Sequence, residues 1–143
     1  VRGTPVEINE SVAPLLFWRK EYLPDSGGSG RYRGGLGQVI EIENAIGQDM
    51  ELLAAFDRID FPARGRAGGA DGAAGRVALK QNGELQGKGC QQIPAGDRLI
   101  INTPGGGGFG PAPQRDRQLV RRDLANGLIS HHAAVGDYAL TDG

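Results

Sequence analysis

Apolar and polar positions alternate along much of this chain with the two-residue period of half-buried strands. Val6 to Val12 shows the alternation first, and Pro14 interrupts it. Leu15 to Leu23 resumes it as a second strand carrying Phe17, Trp18 and Tyr22, aromatic residues that suit a pleated surface. Gln38-Val39-Ile40-Glu41-Ile42-Glu43 alternates cleanly. Asp49 to Phe56 reads as a further strand, although Glu51, Leu52 and Ala54 also favour helix. Val77 to Gln81, then Asn82-Gly83, then Glu84 onward predict a hairpin, because Asn-Gly suits a type I′ turn. Lys88 to Ile93 and Arg98 to Thr103 predict a second hairpin around Pro94-Ala95-Gly96-Asp97.

The period changes after Gly110. Between Gln114 and Asn126, Leu119, Val120 and Leu124 recur at helical spacing, and Gly127 is placed to end that helix. Ser130 is a cap for a second short helix over His131 to Tyr138. The expected fold is mainly β, α+β overall. It is an antiparallel β-sandwich or irregular barrel over residues 1–112, with a C-terminal helical hairpin over 113–143 packed on it as one structural unit.

Composition changes this picture at one point: 25 of the 143 residues are glycine. They follow no Gly-X-Y period, which excludes a collagen helix, and they cluster between the alternating segments as turn residues do. Phe61 to Gly75 is a long Gly/Ala/Arg stretch without periodicity, of the kind that is functional or disordered in a domain of this size. A net charge of −1 leaves no basic footprint for nucleic acid, and no apolar run is long enough to span a bilayer. One cysteine, Cys90, cannot form an internal disulfide, which fits a reducing compartment and makes the cytoplasm the expected location. In its predicted strand it reads as a buried, inert thiol. The opening Val1-Arg2-Gly3-Thr4-Pro5 has no signal-peptide character and reads as the middle of a longer polypeptide.

Several residue groups invite a chemical reading. Gly105-Gly106-Gly107-Gly108-Phe109-Gly110 satisfies G-x-G-x-x-G between a strand and a helix. A dinucleotide site also needs a second parallel strand and a later acidic residue, and only a helical hairpin's length of chain remains. The alternative is a tight backbone crossing. Around Ser26, a nucleophile elbow would need glycine where Pro24 stands, so a turn is expected. His131 and His132 point about 100° apart on a helix and do not chelate one ion. Arg31 and Arg33 share one face of an extended segment, and Arg64 and Arg66 repeat that spacing. Together they form the best candidate anion site, with ordinary solvated or ion-paired arginines as the alternative.

Three segments resemble one family. They are Pro24-Asp25-Ser26-Gly27-Gly28-Ser29-Gly30-Arg31-Tyr32-Arg33-Gly34-Gly35-Leu36-Gly37; then Ala95-Gly96-Asp97-Arg98-Leu99 through Thr103-Pro104-Gly105-Gly106-Gly107-Gly108-Phe109-Gly110; then Gly127-Leu128-Ile129-Ser130. With Gly3 to Glu7, they are similar to the end of the hydantoinase B/oxoprolinase family. The resemblance implies ATP-dependent opening of a cyclic amide such as a hydantoin or 5-oxoproline, with ATP-dependent ketone carboxylases as related members. It implies that ATP is bound by a separate hydantoinase A-type subunit, that a divalent metal belongs to the full complex, and that this chain holds no cofactor itself. The partners implied are that subunit and the upstream part of the B-type subunit. No catalytic residue is carried over. Asp25, Gly27, Gly28, Gly30, Gly34, Gly35, Gly105, Gly106, Gly107, Gly108 and Gly110 read as architectural. The chain departs from the family at Pro111-Ala112-Pro113, at His131-His132 and over Tyr138 to Gly143. A stand-alone binding or assembly module is the rival reading.

Overall fold

A computed structural model of the chain describes residues 3–141. Val1, Arg2, Asp142 and Gly143, the ends of the two segments expected from sequence, lie outside the described residues. The fold is mainly β with antiparallel sheets and short C-terminal helices, and it does not close into a barrel. The strands are β1 (Leu15–Tyr22), β2 (Gln38–Asn44), β3 (Met50–Ala55), β4 (Arg76–Leu79), β5 (Gly83–Glu84), β6 (Lys88–Ile93) and β7 (Arg98–Asn102). The helices are α1 (Val6–Val12), α2 (Arg117–Ala125) and α3 (His131–Gly136), with a 3-10 turn at Ala112–Gln114.

The chain divides into two compact units, each assembled from separated stretches. The first takes residues up to Glu21, Val39–Phe56 and Arg76–Asn102; the second takes Tyr22–Gln38, Asp57–Gly75 and the residues from Thr103 onward.

In the first unit a five-stranded sheet runs β1-β2-β7-β4-β5, and β3 and β6 form a separate ribbon. The register explains the alternation in the sequence. Ile40 pairs with Ile101 and Ile42 with Leu99 on one side of β7, while Val77 and Leu79 meet the same two residues on the other side. These six side chains share one face of the sheet. The opposite face pairs Glu43 with Arg98 and Glu41 with Ile100. There Arg98 donates to Glu41 at 2.9 Å and to Glu43 at 3.0 Å, and Lys80 donates to Glu41 at 2.8 Å. The Arg98 guanidinium stacks 3.7 Å from the centre of the Trp18 ring, whose indole N–H donates to Glu43 at 2.7 Å. Hydrogen bonds from Lys80 and then Arg98 hold the Glu41 carboxyl below its ordinary range against the opposing effect of burial.

Three local expectations are corrected. Val6–Val12 is a helix, not a strand. Its half-buried positions are Val6, Asn9, Glu10 and, just past its end, Ala13, at the i, i+3, i+4, i+7 spacing of a helix face. Ile8 and Val12, which continue the two-residue pattern from Val6, are left in solvent, at 52% and 82% exposed. Asn82-Gly83 is not a two-residue I′ turn, because Leu79 pairs with Gly83 and leaves Lys80, Gln81 and Asn82 in the loop. Gly83 supplies the positive φ of +88° that this longer loop requires. Finally, Lys88–Ile93 and Arg98–Asn102 do not pair with each other. β6 joins β3 and β7 sits between β2 and β4.

Asp97 is what turns the chain from one sheet to the other. Its buried carboxylate accepts from the backbone N–H of Arg98 at 2.7 Å and of Gln81 at 3.1 Å, and from the Asn82 amide at 2.7 Å. Burial alone raises its pKa, but these donors outweigh it and hold the carboxyl below its ordinary value. A depressed carboxylate stabilises the fold above its unfolded-state pKa near pH 4, and that stability is lost as pH falls through the folded value. Urea midpoints are therefore expected to show Asp97→Asn less stable than wild type at pH 7, with the gap narrowing toward pH 3. A gap that is constant with pH would show that the charge contributes nothing.

The second unit is built largely from glycine-rich backbone. Gly28 N–H donates to Gly106 O, Gly106 N–H to Gly35 O, Gly108 N–H to Ala70 O, Ala70 N–H to Ser29 O and Ala73 N–H to Ser26 O, all between 2.8 and 2.9 Å. The segments around residues 26–30, 34–37, 63–73 and 105–110 thus lie against each other with no side chain between them. A Cβ on Gly105 would sit 1.6 Å from Ser26 O, and one on Gly34 would sit 2.0 Å from Gly106 O. The aperiodic stretch Phe61 to Gly75 forms part of this lattice. Gly105→Ala is expected to cost at least about 3 kcal/mol in urea denaturation, whereas Gly35→Ala, whose Cβ would meet nothing within 4 Å, is expected to stay within about 0.5 kcal/mol.

Candidate functional site

The lattice is closed by the C-terminal helices. Asp116 caps α2 by accepting from Gln118 N–H at 2.7 Å, and Gly127, with a φ of +66°, ends it. Gly127 N–H donates to Leu124 O and Leu128 N–H to Asp123 O, the paired bonds of a glycine-terminated helix. Ser130 Oγ accepts from Ala133 N–H at 3.1 Å and caps α3, as its position in the sequence predicts. Ala112, Val120, Ile129, Ala134, Tyr138 and Leu140 form the apolar core beneath the helices. The Asp25 carboxylate accepts from Ser130 N–H at 2.8 Å, and Asp25 N–H donates to Leu128 O at 3.2 Å. Three separate sequence segments, around residues 25–37, 103–110 and 127–130, therefore meet in one unit.

A cleft of about 460 Å³ opens on this unit, lined by Tyr22, Arg33, Gly34, Gly35, Leu36 and Leu128. Arg33 is its charged wall. Arg33 Nε donates to Asp123 Oδ2 at 3.0 Å, and Nη1 donates to Gly34 O at 3.0 Å. Arg115 Nη2 reaches the same Asp123 oxygen at 2.8 Å. The Asp123 side chain is 4% exposed and that of Arg33 13%. One carboxylate thus faces two guanidinium groups, leaving a unit of positive charge in a largely dry place. Next to it the Arg115 guanidinium lies 6.0 Å from the centre of the buried Tyr138 ring. Burial raises the Tyr138 phenol above its ordinary pKa, while the positive charges of Arg115 and Arg33 act in the other direction. The Tyr138 hydroxyl and Arg115 Nε have no hydrogen-bond partner among the described residues. Asp123 is therefore the group that offsets the desolvation of both arginines.

The four arginines that the sequence brings forward do not share one environment. Arg33 turns inward to Asp123, whereas Arg31, Arg64 and Arg66 are exposed. Arg31 and Arg66 lie on either side of the 108–110 segment, with Arg31 N–H donating to Gly110 O and Arg66 N–H to Gly108 O. Of the glycines, Gly27, Gly28, Gly30, Gly34, Gly105, Gly107 and Gly108 lie where a Cβ would meet backbone closer than 3.0 Å. Gly106 is less crowded at 3.1 Å, Gly110 has a φ of +74°, and Gly35 faces open space. Asp123, Arg115 and Tyr138 were not singled out from sequence. The signal that finds Asp123 is its place three residues after buried Val120, on the apolar side of α2.

Of the remaining candidates Ser26 is structural, and the two histidines and the cysteine stand in solvent. Ser26 is buried; its hydroxyl donates to Leu23 O at 2.5 Å and accepts from Gly37 N–H at 2.8 Å, so it is a turn residue. His131 and His132 are exposed at the start of α3. Cys90 is exposed rather than buried, because in the β3–β6 ribbon it lies opposite Leu53 on a face turned to solvent. Five of the six N–H groups of the Gly105–Gly110 run, all but that of Gly107, are spent on carbonyls of the chain, so the run presents no converging set of donors to a phosphate. Among the described residues no group of three or more His, Cys, Asp or Glu is placed to hold a metal ion. No helix among the described residues is long and apolar enough to cross a membrane.

Comparison with known proteins decides what this arrangement belongs to. The family model described as hydantoinase B/oxoprolinase matches residues 1–112. The chain belongs to the hydantoinase B/oxoprolinase family. Among members of that family, it is 40% identical over 113 residues to 5-oxoprolinase 1 of Arabidopsis thaliana, covering 76% of this chain and 9% of that protein. It is 31% identical over 144 residues to the caprolactamase subunit beta of Pseudomonas jessenii, covering 94% of this chain and 24% of that subunit. The crystal structure of the ATP-dependent caprolactamase from the same organism superposes with a TM-score of 0.75 at 28% identity, over 99% of this chain and 26% of that one. This hydantoinase B-type chain therefore spans about a quarter or less of the length of these relatives.

The buried ion cluster gives a direct test of how this unit is held together. Asp123→Asn would leave two buried guanidinium groups without a counter-charge, and the expected loss is about 3–5 kcal/mol by chemical denaturation. A loss below about 1 kcal/mol would show that Asp123 is not what holds Arg33.

Proposed function

We propose that this chain is the glycine-rich C-terminal domain of a hydantoinase B/oxoprolinase-type subunit, and that it supports ATP-dependent hydrolysis of a cyclic amide of the hydantoin or 5-oxoproline class. What carries the reading is the meeting of the family-like segments in a lattice whose donors and acceptors are spent on itself, beside a cleft with one fixed guanidinium. Such a lattice holds shape and does no bond-breaking. In this reading ATP and a divalent metal are bound elsewhere in the complex, by a hydantoinase A-type subunit and by the upstream part of the B-type subunit. The chain's own contribution is a rigid wall, with Arg33 as the residue available to a carboxylate or carbonyl oxygen. That the related caprolactamase chain is called a subunit supports the expectation of a partner.

The test is gel filtration of the 143-residue chain with a purified hydantoinase A-type subunit, coupled to assays of hydantoin and 5-oxoproline ring opening with ATP. Co-elution without turnover is expected. Ring opening by the chain alone would place the chemistry within it and end this reading. Absence of co-elution would favour a stand-alone binding module.

A further inference from the structure

Three neighbouring backbone segments set Arg66, Phe109 and Tyr32 in one row. Phe109 bridges Tyr32 in antiparallel fashion on one side and Arg66 in parallel on the other, so the three side chains leave the same face. Adjacent positions in such a row are roughly 5 Å apart. Tyr32 and Phe109 are 61% and 53% exposed, and their rings lie 6.4 Å apart, tilted by 45°. The Arg31 guanidinium sits 5.7 Å from the centre of the Tyr32 ring. The row therefore carries two exposed aromatic rings, with Arg66 at one end and Arg31 beside Tyr32.

Arg31 and Arg66 make no ion pair among the described residues. Asp71 is close in the chain, but its carboxylate accepts from Gly65 N–H and pairs with neither. The backbone beneath is fixed: Tyr32 and Phe109 exchange N–H···O bonds at 2.9 Å, and Gly110 N–H donates to Arg66 O at 3.0 Å. A contact made on so rigid a base orders little on binding. Aromatic and arginine side chains supply most of the binding energy in protein interfaces, and unpaired cations select acidic partners.

We propose that this row is a docking surface for an extended acidic protein segment. Two carboxylates of that segment meet Arg31 and Arg66, and an apolar residue between them covers Phe109 and Tyr32. Carboxylates at positions i and i+4 of an extended strand are about 13 Å apart, wide enough to flank a pair of aromatic rings. The proposal concerns protein contact alone and does not depend on the cyclic-amide reading.

The test is fluorescence anisotropy of the 143-residue chain with a labelled peptide Gly-Glu-Ser-Leu-Ser-Glu-Gly, beside a counterpart carrying Lys for both Glu. Binding of the acidic peptide only is expected, weakened by salt and at least tenfold by Arg31→Glu/Arg66→Glu and, separately, by Tyr32→Ser. Circular dichroism checks that each variant folds, and Arg31→Gln/Arg66→Gln replaces a charge reversal that does not. Equal affinity in wild type and the double variant, or no binding by wild type, overturns the proposal. Complete displacement by tripolyphosphate with unchanged affinity in Tyr32→Ser would reveal a plain anion site, and overturns it as well.

Discussion

Backbone packed directly on backbone is the contact on which the second unit depends. A side chain at Gly105, Gly34 or Gly28 would occupy the space of a carbonyl oxygen on the neighbouring segment. The segments can approach only because these positions have none, and their N–H and C=O groups then satisfy one another without regular strand or helix. Little apolar area is buried in such a lattice. Its stability rests on hydrogen bonds that each contribute modestly, and on the small core under α2 and α3. The Asp25 contact to Ser130 joins the two parts.

Everything of functional interest in the unit follows from that rigidity. Arg33 extends from a segment whose neighbour Gly34 is pinned against Gly106, and its guanidinium is fixed at both ends by Asp123 and Gly34 O. A charged group so held can present one direction to a cleft without reorganising. The exposed row beside it gains in the same way, since Tyr32 and Phe109 stand on mutual backbone bonds rather than on a mobile loop. The polar face of the first unit offers a contrast. There Trp18, Arg98, Glu43, Glu41 and Lys80 satisfy one another, so that surface is closed chemically though open to water.

Much of this was legible in the sequence. Among the described residues, six of the seven strands fall where alternation between turn residues puts them. The capped helices after Gly110 were legible too, since Ser130 and Gly127 are each used as their chemistry suggests. The failures have specific causes. Over only seven residues, Val6–Val12 satisfies both periods, and what decided it was which side chains found cover. Strand partners are set by distant pairing, so the neighbours Lys88–Ile93 and Arg98–Asn102 could look like a hairpin and be none. The i, i+2 spacing of Arg31 and Arg33 placed both on one face, yet only Arg33 finds a buried acid, and that acid lies 90 residues later. Pairing at such range leaves no local trace.

The order in which the chain visits its two units has a kinetic consequence. Between Glu21 and Thr103 it passes from one unit to the other and back repeatedly. The segment at 26–30 lacks its contact with Gly106 until 105–110 has been made and brought back. Closing so long a loop must precede any reward from the contact, which makes the glycine lattice a late and slow event in folding. A ribosome-bound chain ending before Gly110 would carry its glycine segments as open polymer. Shortening the protein from its carboxyl side should therefore abolish the second unit as a whole instead of trimming it.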